Sequence, residues 1–331
     1  MKTIDVTGIG NALLDIFLEI GEQDFAALGY ERATMRLVDS ADQRQLLARF
    51  RDNAPMMASG GSVANSIIAL SQLGGRGAFI GSFGDDDQGR YYKREFDSLG
   101  IALNSGALSA ELTGTCIALI TPDAERTMRT SLGAAALLTP AHVDEGLIRH
   151  SRWLFVEGYL LANPEFGHPS VRAALALASR HQTRVALTLS EAWVVQGFRA
   201  MVDEVVECAA LVFANEAEAR EWAGTPDVES AFRALCSRVP NVVVTRGPLG
   251  ALVQWEGQEY RVPAFPCEPK DLTGAGDMFA GAFLYGVNHG VAPDAAARGA
   301  CFLAMHVISR VGARLHTGTR SLWEECLRAA G

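Results

Sequence analysis

Several arrangements that would identify a function at sight are missing from this chain. Its six cysteines (116, 208, 236, 267, 301 and 326) are scattered, with no C-x-x-C spacing. That excludes a disulfide framework and a zinc cluster and leaves buried thiols in a reducing compartment. The seven histidines show no metal-ligand spacing. A basic excess is lacking too: 29 Lys and Arg stand against 38 Asp and Glu, a formal net charge of −9. A nucleic-acid or anionic-membrane partner is therefore not expected, since both attract a basic face. No uninterrupted apolar run approaches the roughly 18 residues of a membrane span. Met1-Lys2 leads straight into a strand-like run without a signal-peptide pattern, so a cytoplasmic protein is expected. Neither the P-loop pattern G-x-x-x-x-G-K-[ST] nor a G-x-S-x-G elbow occurs. Gly8-Ile9-Gly10-Asn11-Ala12-Leu13 and Gly274-Ala275-Gly276-Asp277-Met278-Phe279 approach the dinucleotide fingerprint, but each lacks its third glycine. The first also runs into a strand where a helix is needed, which argues against a nicotinamide dehydrogenase.

What is present is an ordinary globular composition, 49% hydrophobic and 20% charged, able to bury a large core. From Pro140 onward helices and strands alternate: helix 140–150 and strand 153–157, helix 169–181 and strand 184–189, helix 198–208 and strand 211–214. Helices 216–223 and 228–238, strand 242–246 and a hairpin over 251–262 follow. Pro293 begins a last long helix through about Ile308. Repeated units of this kind imply a mostly parallel sheet covered on both faces. Two strand-rich stretches, about 12–38 and 102–134, break the rhythm. The second holds a hairpin, Thr115–Thr121 and Arg126–Ser131 around Pro122-Asp123-Ala124. A single α/β domain over 1–331, with a small antiparallel lid inserted from these stretches, is expected. No internal repeat or linker divides it.

The most telling stretch is Lys270-Asp271-Leu272-Thr273-Gly274-Ala275-Gly276-Asp277-Met278-Phe279-Ala280-Gly281-Ala282-Phe283. Phe279, Phe283 and Val287 recur at helical spacing, and Ala280, Gly281 and Ala282 permit close packing. A helix that begins at a Gly-Ala-Gly turn offers free backbone N–H groups and its positive dipole end, an anion site suited to phosphate. A turn that merely lets a helix pack on a sheet would look the same. Asp277, in the first helical turn, is expected to have a low pKa. Asn215 and Glu218, three apart at a helix start, form a capping box or a paired binding site.

The Asp271–Phe283 stretch resembles the C-terminal signature of the ribokinase (PfkB) family of small-molecule kinases. Gly60-Gly61-Ser62-Val63-Ala64-Asn65 is similar to that family's N-terminal di-glycine motif. Gly84-Asp85-Asp86-Asp87-Gln88-Gly89 with Leu99-Gly100-Ile101, and Asn215-Glu216-Ala217-Glu218, resemble two further family elements. The four stand in family order over nearly the whole chain, from Asp5 to about Gly312. Gly10-Asn11-Ala12-Leu13-Leu14-Asp15 and Gly60–Ser66 look most like the adenosine kinase branch. The chain departs from the family at Leu272, where a threonine or asparagine is frequent.

The resemblance implies a ribokinase-like three-layer α/β/α fold with a β-rich lid. It implies Asp277 as the base that takes the proton of a substrate hydroxyl, since phosphoryl transfer is mostly positioning and charge stabilisation. Gly274, Ala275 and Gly276 would hold the charge of the phosphoryl group through their N–H donors. Thr273 would add a hydroxyl or cap the helix. Asn11, Asp15, Gly60, Gly61, Ser62 and Asn65 would bind the acceptor sugar, with Gly60-Gly61 as lid hinge. Arg126 would close onto the phosphates from the lid, and Met128, Thr130, Tyr159 and Leu160 would floor a base pocket. Asn215, Thr245 and Gly247 would contact the nucleotide, and Glu218 with Asn215 would place Mg2+ through water. ATP and Mg2+ are the implied cofactors, with K+ a further candidate, in a monomer or homodimer. The expected activity is phosphorylation of a ribonucleoside, adenosine to AMP. A sugar kinase of the same fold, on ribose, fructose or a sugar acid, is the first alternative, and a non-catalytic nucleoside-binding regulator is the second. Ser190-Glu191-Ala192-Trp193 has no place in this scheme.

Overall fold

The computed structural model describes residues 1–32, 34–53, 55–103, 107–108, 110–123 and 125–329. Nine strands form the main sheet, in the order Gln258–Val262, Ala251–Trp255, Asn241–Thr245, Leu211–Asn215, Arg184–Thr188, Ser151–Glu157, Ile4–Ile9, Gly77–Ile80 and Ala102–Leu103. All neighbours are parallel except in the closing hairpin, where 241–245, 251–255 and 258–262 alternate in direction. Successive side chains on a strand point to opposite faces, so each central strand feeds two cores. Trp153 and Phe155 enter one with Val6, Phe213 and Phe283, while Leu154 and Val156 enter the other with Ile9, Val212 and Val244. Helices Ser62–Gln72, Asp87–Ser98, Ala275–Asn288 and Pro293–Ile308 close the first core, and Gly167–Arg180, Arg199–Cys208, Glu216–Ala223 and Val228–Cys236 close the second. The architecture is the expected three-layer, ribokinase-like α/β/α.

A second sheet has five strands, in the order Met35–Leu37, Arg126–Ser131, Gly114–Ile120, Leu13–Glu19 and Met56–Gly60. It differs from the expected appendage in three ways. It is mixed, because Leu13–Glu19 runs parallel to Gly114–Ile120 and Met35–Leu37 parallel to Arg126–Ser131. The long connections between these segments permit parallel pairing, which a hairpin does not. Met56–Gly60 is its edge strand, antiparallel to Leu13–Phe17, although it reads in sequence as a lead-in to the di-glycine. Ala102–Leu103 belongs to the main sheet, beside Ala78–Phe79. The expected hairpin is present, and Asp123 Oδ1 accepts from Thr121 Oγ1 (2.6 Å) and from the Glu125 N–H (3.2 Å). Ala33 and Ala124, in the expected strand and turn, lie outside the described residues. A further helix, Thr319–Arg328, follows the one expected to be last, burying Trp323 and Cys326.

One packing contact positions the site. Helix Ala275–Asn288 lies against Ser62–Gln72 so closely that a Cβ on Gly281 would stand 2.2 Å from the Ser66 carbonyl oxygen. Only glycine fits there. The two glycine-rich motifs, over two hundred residues apart, are joined by that crossing.

Candidate active site

One helical turn toward both N-termini from the Gly281–Ser66 crossing, Asp277 meets the di-glycine segment. Ser62 Oγ donates to Asp277 Oδ1 (2.6 Å) and Asn65 Nδ2 to Oδ2 (3.2 Å). Both bonds, like the helix N-terminus, favour the ionised carboxylate. Burial outweighs them and raises the Asp277 pKa to about 6, so the expected low value is overturned. Removal from water disfavours charge more than two hydrogen bonds restore. The outcome suits a general base, which works best with a pKa near the operating pH.

Upstream of Asp277, Gly274 is the helix N-cap with φ +77° and no side-chain cap, so Thr273 does not cap the helix. A Cβ on Gly274 would lie 2.0 Å from the Ala313 carbonyl oxygen, whereas one on Gly276 would meet nothing within 4 Å. Gly274 is thus required by the backbone, and Gly276 keeps the space in front of the turn open. The first-turn N–H groups have no helical acceptors, and Ala275 N reaches only a long 3.4 Å contact to Leu272 O. Leu272 itself is solvent-exposed.

Asp271 organises the turn from behind. Its carboxylate accepts from the N–H of Thr273 (3.1 Å) and of Gly312 (2.8 Å). It also pairs with Arg126 Nη2 at 2.8 Å. Arg126, expected to face the phosphates, is therefore buried against Asp271, with its guanidinium 5.2 Å from the centre of the Phe17 ring. A guanidinium out of water needs a countercharge, and Asp271 supplies it. The contact is a charge pairing without hydrogen-bond geometry, as all three Arg126 side-chain nitrogens lack a hydrogen-bond partner.

On the acceptor side, Asp15 points from strand Leu13–Glu19 to where a Cβ on Gly60 would lie 2.4 Å from its Oδ2. Gly61 has φ +104°, and a Cβ there would lie 2.1 Å from Asn11 O. The di-glycine is thus explained twice, by the carboxylate it admits and by its backbone. Burial raises Asp15 to about 7, against the favourable charge of Arg314.

Asn11 is held by a residue without a sequence signal, Glu157, at the end of a central strand. Glu157 Oε1 accepts from Asn11 Nδ2 (2.8 Å) and N (3.2 Å), and Oε2 accepts from Val63 N (3.1 Å). Its own pKa is raised to about 7, chiefly by burial. Gly10 has no side chain because a Cβ there would stand 2.4 Å from Glu157 Oε2. Met128 packs with Phe17, Ala118, Ile120 and Ala58. Leu160 is buried in the second core. The Tyr159 ring lies 6.2 Å from Trp193, and its side chain hydrogen-bonds Glu191. The unplaced Ser190–Trp193 stretch therefore turns at a strand end beside the site, with Ser190 at φ +68°.

At the carboxyl ends of the neighbouring strands, Asn215 pairs in register with Thr245, and Gly247 starts a short turn at φ +51°. Thr245 Oγ1 makes only a long 3.4 Å contact to Ala214 O. That edge of an open parallel sheet is where ligands bind. Asn215 and Glu218 form a reciprocal capping box: Asn215 Oδ1 accepts from Glu218 N (2.9 Å), and the Glu218 carboxylate accepts from Asn215 N (3.0 Å) and Nδ2 (2.6 Å). Burial raises Glu218 to about 7. Among the described residues no three His, Cys, Asp or Glu gather as a metal site. The Asn215–Glu218 pair supplies hard oxygen donors, which fit Mg2+ retaining most of its waters.

Residues 38–320 match the family model described as pfkB family carbohydrate kinase. The chain is 25% identical to adenosine kinase 1 of Arabidopsis thaliana over 92% of this chain and 94% of that protein. It is 27% identical to the ribokinase of Haemophilus influenzae, over 83% and 89%. Among solved structures, the adenosine kinase from Sinorhizobium meliloti superposes with a TM-score of 0.88 at 29% identity, covering 100% of both chains. A probable sugar kinase protein from Rhizobium etli gives 0.89 at 29%, covering 100% and 99%. The fold and site define a phosphotransferase that acts on an alcohol group of a small molecule. The chain belongs to the pfkB family of carbohydrate kinases.

Proposed function

We propose that this enzyme transfers the γ-phosphate of ATP to the 5′ hydroxyl of a ribonucleoside, with adenosine the foremost acceptor and AMP the product. One observation carries the choice of a nucleoside over a free sugar. Beside the small cavity at Asp15 and Asn65 stand Phe17 and Ala58 and, exposed at its rim, Met56 and Met57. A pentose uses only the polar groups, whereas a nucleoside also has a flat apolar base to place against the rim side chains outside the cavity. The likeness to proteins named adenosine kinase supports the same acceptor.

Asp277 takes the proton of the attacking hydroxyl, while Ser62 and Asn65 fix its two oxygens. Gly274, Ala275 and Gly276 turn their N–H groups to the phosphoryl oxygens, where small residues admit the group without a side chain intervening. Thr273, Asn215, Thr245 and Gly247 line the nucleotide side. Glu218 and Asn215 hold Mg2+ through water, and the ion when bound neutralises phosphate charge. The five-stranded sheet acts as a lid hinged at Gly60-Gly61 and excludes water from the transfer. Arg126 braces Asp271 behind the turn.

A sugar kinase of the same fold is the second reading, favoured by the likeness to the Rhizobium etli protein. A phosphorylation assay over adenosine, inosine, ribose and fructose separates the two. Adenosine is expected to turn over best, and turnover of the sugars with none of adenosine overturns the nucleoside acceptor.

A further inference from the structure

One motif takes no part in either end of the cleft, Gly84-Asp85-Asp86-Asp87-Gln88-Gly89. Its half-buried Asp86 caps helix Asp87–Ser98, with Oδ1 accepting from the Gly89 N–H (2.7 Å). The same carboxylate reaches a distant segment: Oδ1 accepts from Thr113 Oγ1 (2.6 Å) and Oδ2 from the Thr113 N–H (2.8 Å). Thr113 is buried, and its Oγ1 accepts in turn from the Gly84 N–H (3.0 Å). A Cβ on Gly84 would stand 2.8 Å from Thr113 N, and one on Gly89 2.8 Å from Thr113 Oγ1. Both glycines and the carboxylate thus converge on one threonine. Burial pushes the Asp86 carboxyl up, but the hydrogen bonds from Thr113 and Gly89 outweigh it and hold the group below its ordinary value. These are charge-assisted bonds, the strong kind.

Thr113 stands at the root of the five-stranded sheet. The chain enters and leaves that sheet twice, each time through a narrow neck of two strands. In the first neck a Cβ on Gly61 would lie 2.1 Å from Asn11 O. In the second, a Cβ on Gly114 would lie 2.3 Å from Leu132 O, and one on Gly133, at φ +45°, 2.3 Å from Leu112 O. The Ala134 N–H donates across that neck to Leu112 O (2.8 Å). The necks are adjacent, because Leu13 is in register with both Gly60 and Gly114. One carboxylate ties each of them to the main body in the same manner. Glu157 accepts from the N–H and side chain of Asn11 and from Val63 N in the first turn of its helix. Asp86 accepts from the N–H and side chain of Thr113 and from Gly89 N in the first turn of another.

We propose that Asp86 is a positioning residue for phosphoryl transfer: through Thr113 it anchors the second neck, and the two anchored necks define the axis about which the lid closes. The inference rests on the lid role given to the five-stranded sheet above. A sheet held at one point can both swing and twist, whereas one held at two points keeps a single rotation. Loss of one anchor leaves the lid in place but lets it settle in positions that do not seal the cleft. An acceptor that needs the closed arrangement then binds more weakly in proportion to the closed fraction. Water also reaches the phosphoryl group, which closure otherwise prevents.

The test compares Asp86→Ala and Thr113→Val with two controls. Thr113→Ser keeps the hydroxyl, and Asp85→Asn changes an exposed neighbour that pairs with Arg90 on the surface. The acceptor is whichever of adenosine, inosine, ribose and fructose the wild type turns over fastest. Two quantities are read, the acceptor KM and the ATP hydrolysed per phosphoryl group transferred. Asp86→Ala and Thr113→Val are expected to raise both on the order of three- to tenfold, while both controls match the wild type. A variant that is merely destabilised has fewer active molecules, so its kcat falls while KM and the ratio stay. That outcome, or no change at all, overturns the proposal. Should Asp86→Ala fail to fold for want of its cap, Thr113→Val removes one hydroxyl and no charge, and it decides alone. The lid itself is checked by hydrogen exchange with and without the acceptor. If the acceptor does not slow exchange across residues 114–120 and 126–131 of the wild type, the sheet is no lid and both readings fall. Slowing that persists in full in Thr113→Val overturns the anchor alone.

Discussion

The two ends of the cleft are built on different terms. At the end proposed to hold phosphate the available groups are backbone N–H donors, and the glycines at 274 and 276 leave that turn without side chains. The end proposed to take the acceptor presents side chains instead, Asp15, Asn65 and Arg314 from three separate segments around one small cavity. Asp277 is the hinge between them, on the turn of the first and hydrogen-bonded to Ser62 and Asn65 of the second. A backbone site tolerates changes of substrate because it reads only charge. A side-chain site is where one member of a kinase family differs from the next.

The largest effect is expected at the shared residue. Asp277→Asn keeps the shape and the contacts of both ends but removes the proton acceptor. General-base catalysis contributes roughly 10^2–10^4-fold, so kcat should fall by that range while ATP and acceptor still bind, as single-turnover and binding measurements would register. Unchanged transfer would remove Asp277 from the chemistry and break the link between the two ends.

Next are the two glycines, whose substitutions should separate fold from function. Gly276→Ala places a methyl in open space in front of the turn. It should leave Tm unchanged and slow transfer on the order of tenfold by displacing a phosphoryl oxygen from its donors. Gly274→Ala meets the Ala313 carbonyl and a left-handed φ, which costs about 1–3 kcal/mol in backbone strain alone. Its main expected effect is a lower Tm. If both variants lost activity in proportion to stability, the turn would be a packing feature and nothing more.

The pH dependence of the reaction follows in size. With Asp277 raised to about 6, its active, ionised form is lost as pH falls through that value. The kcat profile should decline tenfold per unit on the acid side and be flat above. An acid limb near the ordinary aspartate value would mean that burial does not govern this carboxylate in the working enzyme.

The same contrast explains what could be read from the sequence. The main sheet was legible because strands covered on both faces become continuous apolar runs. The turn proposed to hold phosphate is visible in the sequence because a backbone site needs a contiguous motif, Thr273 to Asp277. Glu157 was not legible, since nothing near it in sequence predicts that it holds Asn11 and Val63 across the sheet. Arg314 stands alone between Ala313 and Leu315, and its partner Glu95 lies on a helix more than two hundred residues earlier. Arg126 lies on the expected strand, but its partner Asp271 is not readable from the sequence, because a strand pattern fixes which way a side chain points without fixing what it meets. Asp277 was given the wrong pKa for a related reason: the helix N-terminus is local and visible, while burial is a tertiary property.

The smallest expected effect concerns stability, and its sign distinguishes the buried carboxylates from the rest. Asp15, Glu157 and Glu218 are each raised to about 7 by burial, above their ordinary values of 3.8 and 4.5. Between those limits the folded chain binds more protons than the unfolded one, so stability must fall as pH rises. The stabilising, protonated forms are fully present below the ordinary carboxylate range and are lost as pH passes through about 7. Carboxylates with the opposite shift, such as Asp86 and Glu95, act below that range, so between about pH 5 and 7 the three raised carboxylates are opposed by His306, whose pKa burial lowers, one group against three. Tm should therefore decline across this interval and level off above it. Glu157→Gln removes one of the titrations and should flatten the decline while keeping an acceptor for the Asn11 amide. A Tm that rises from pH 5 to 7, or a slope unaltered by Glu157→Gln, would mean that these carboxylates have found countercharges.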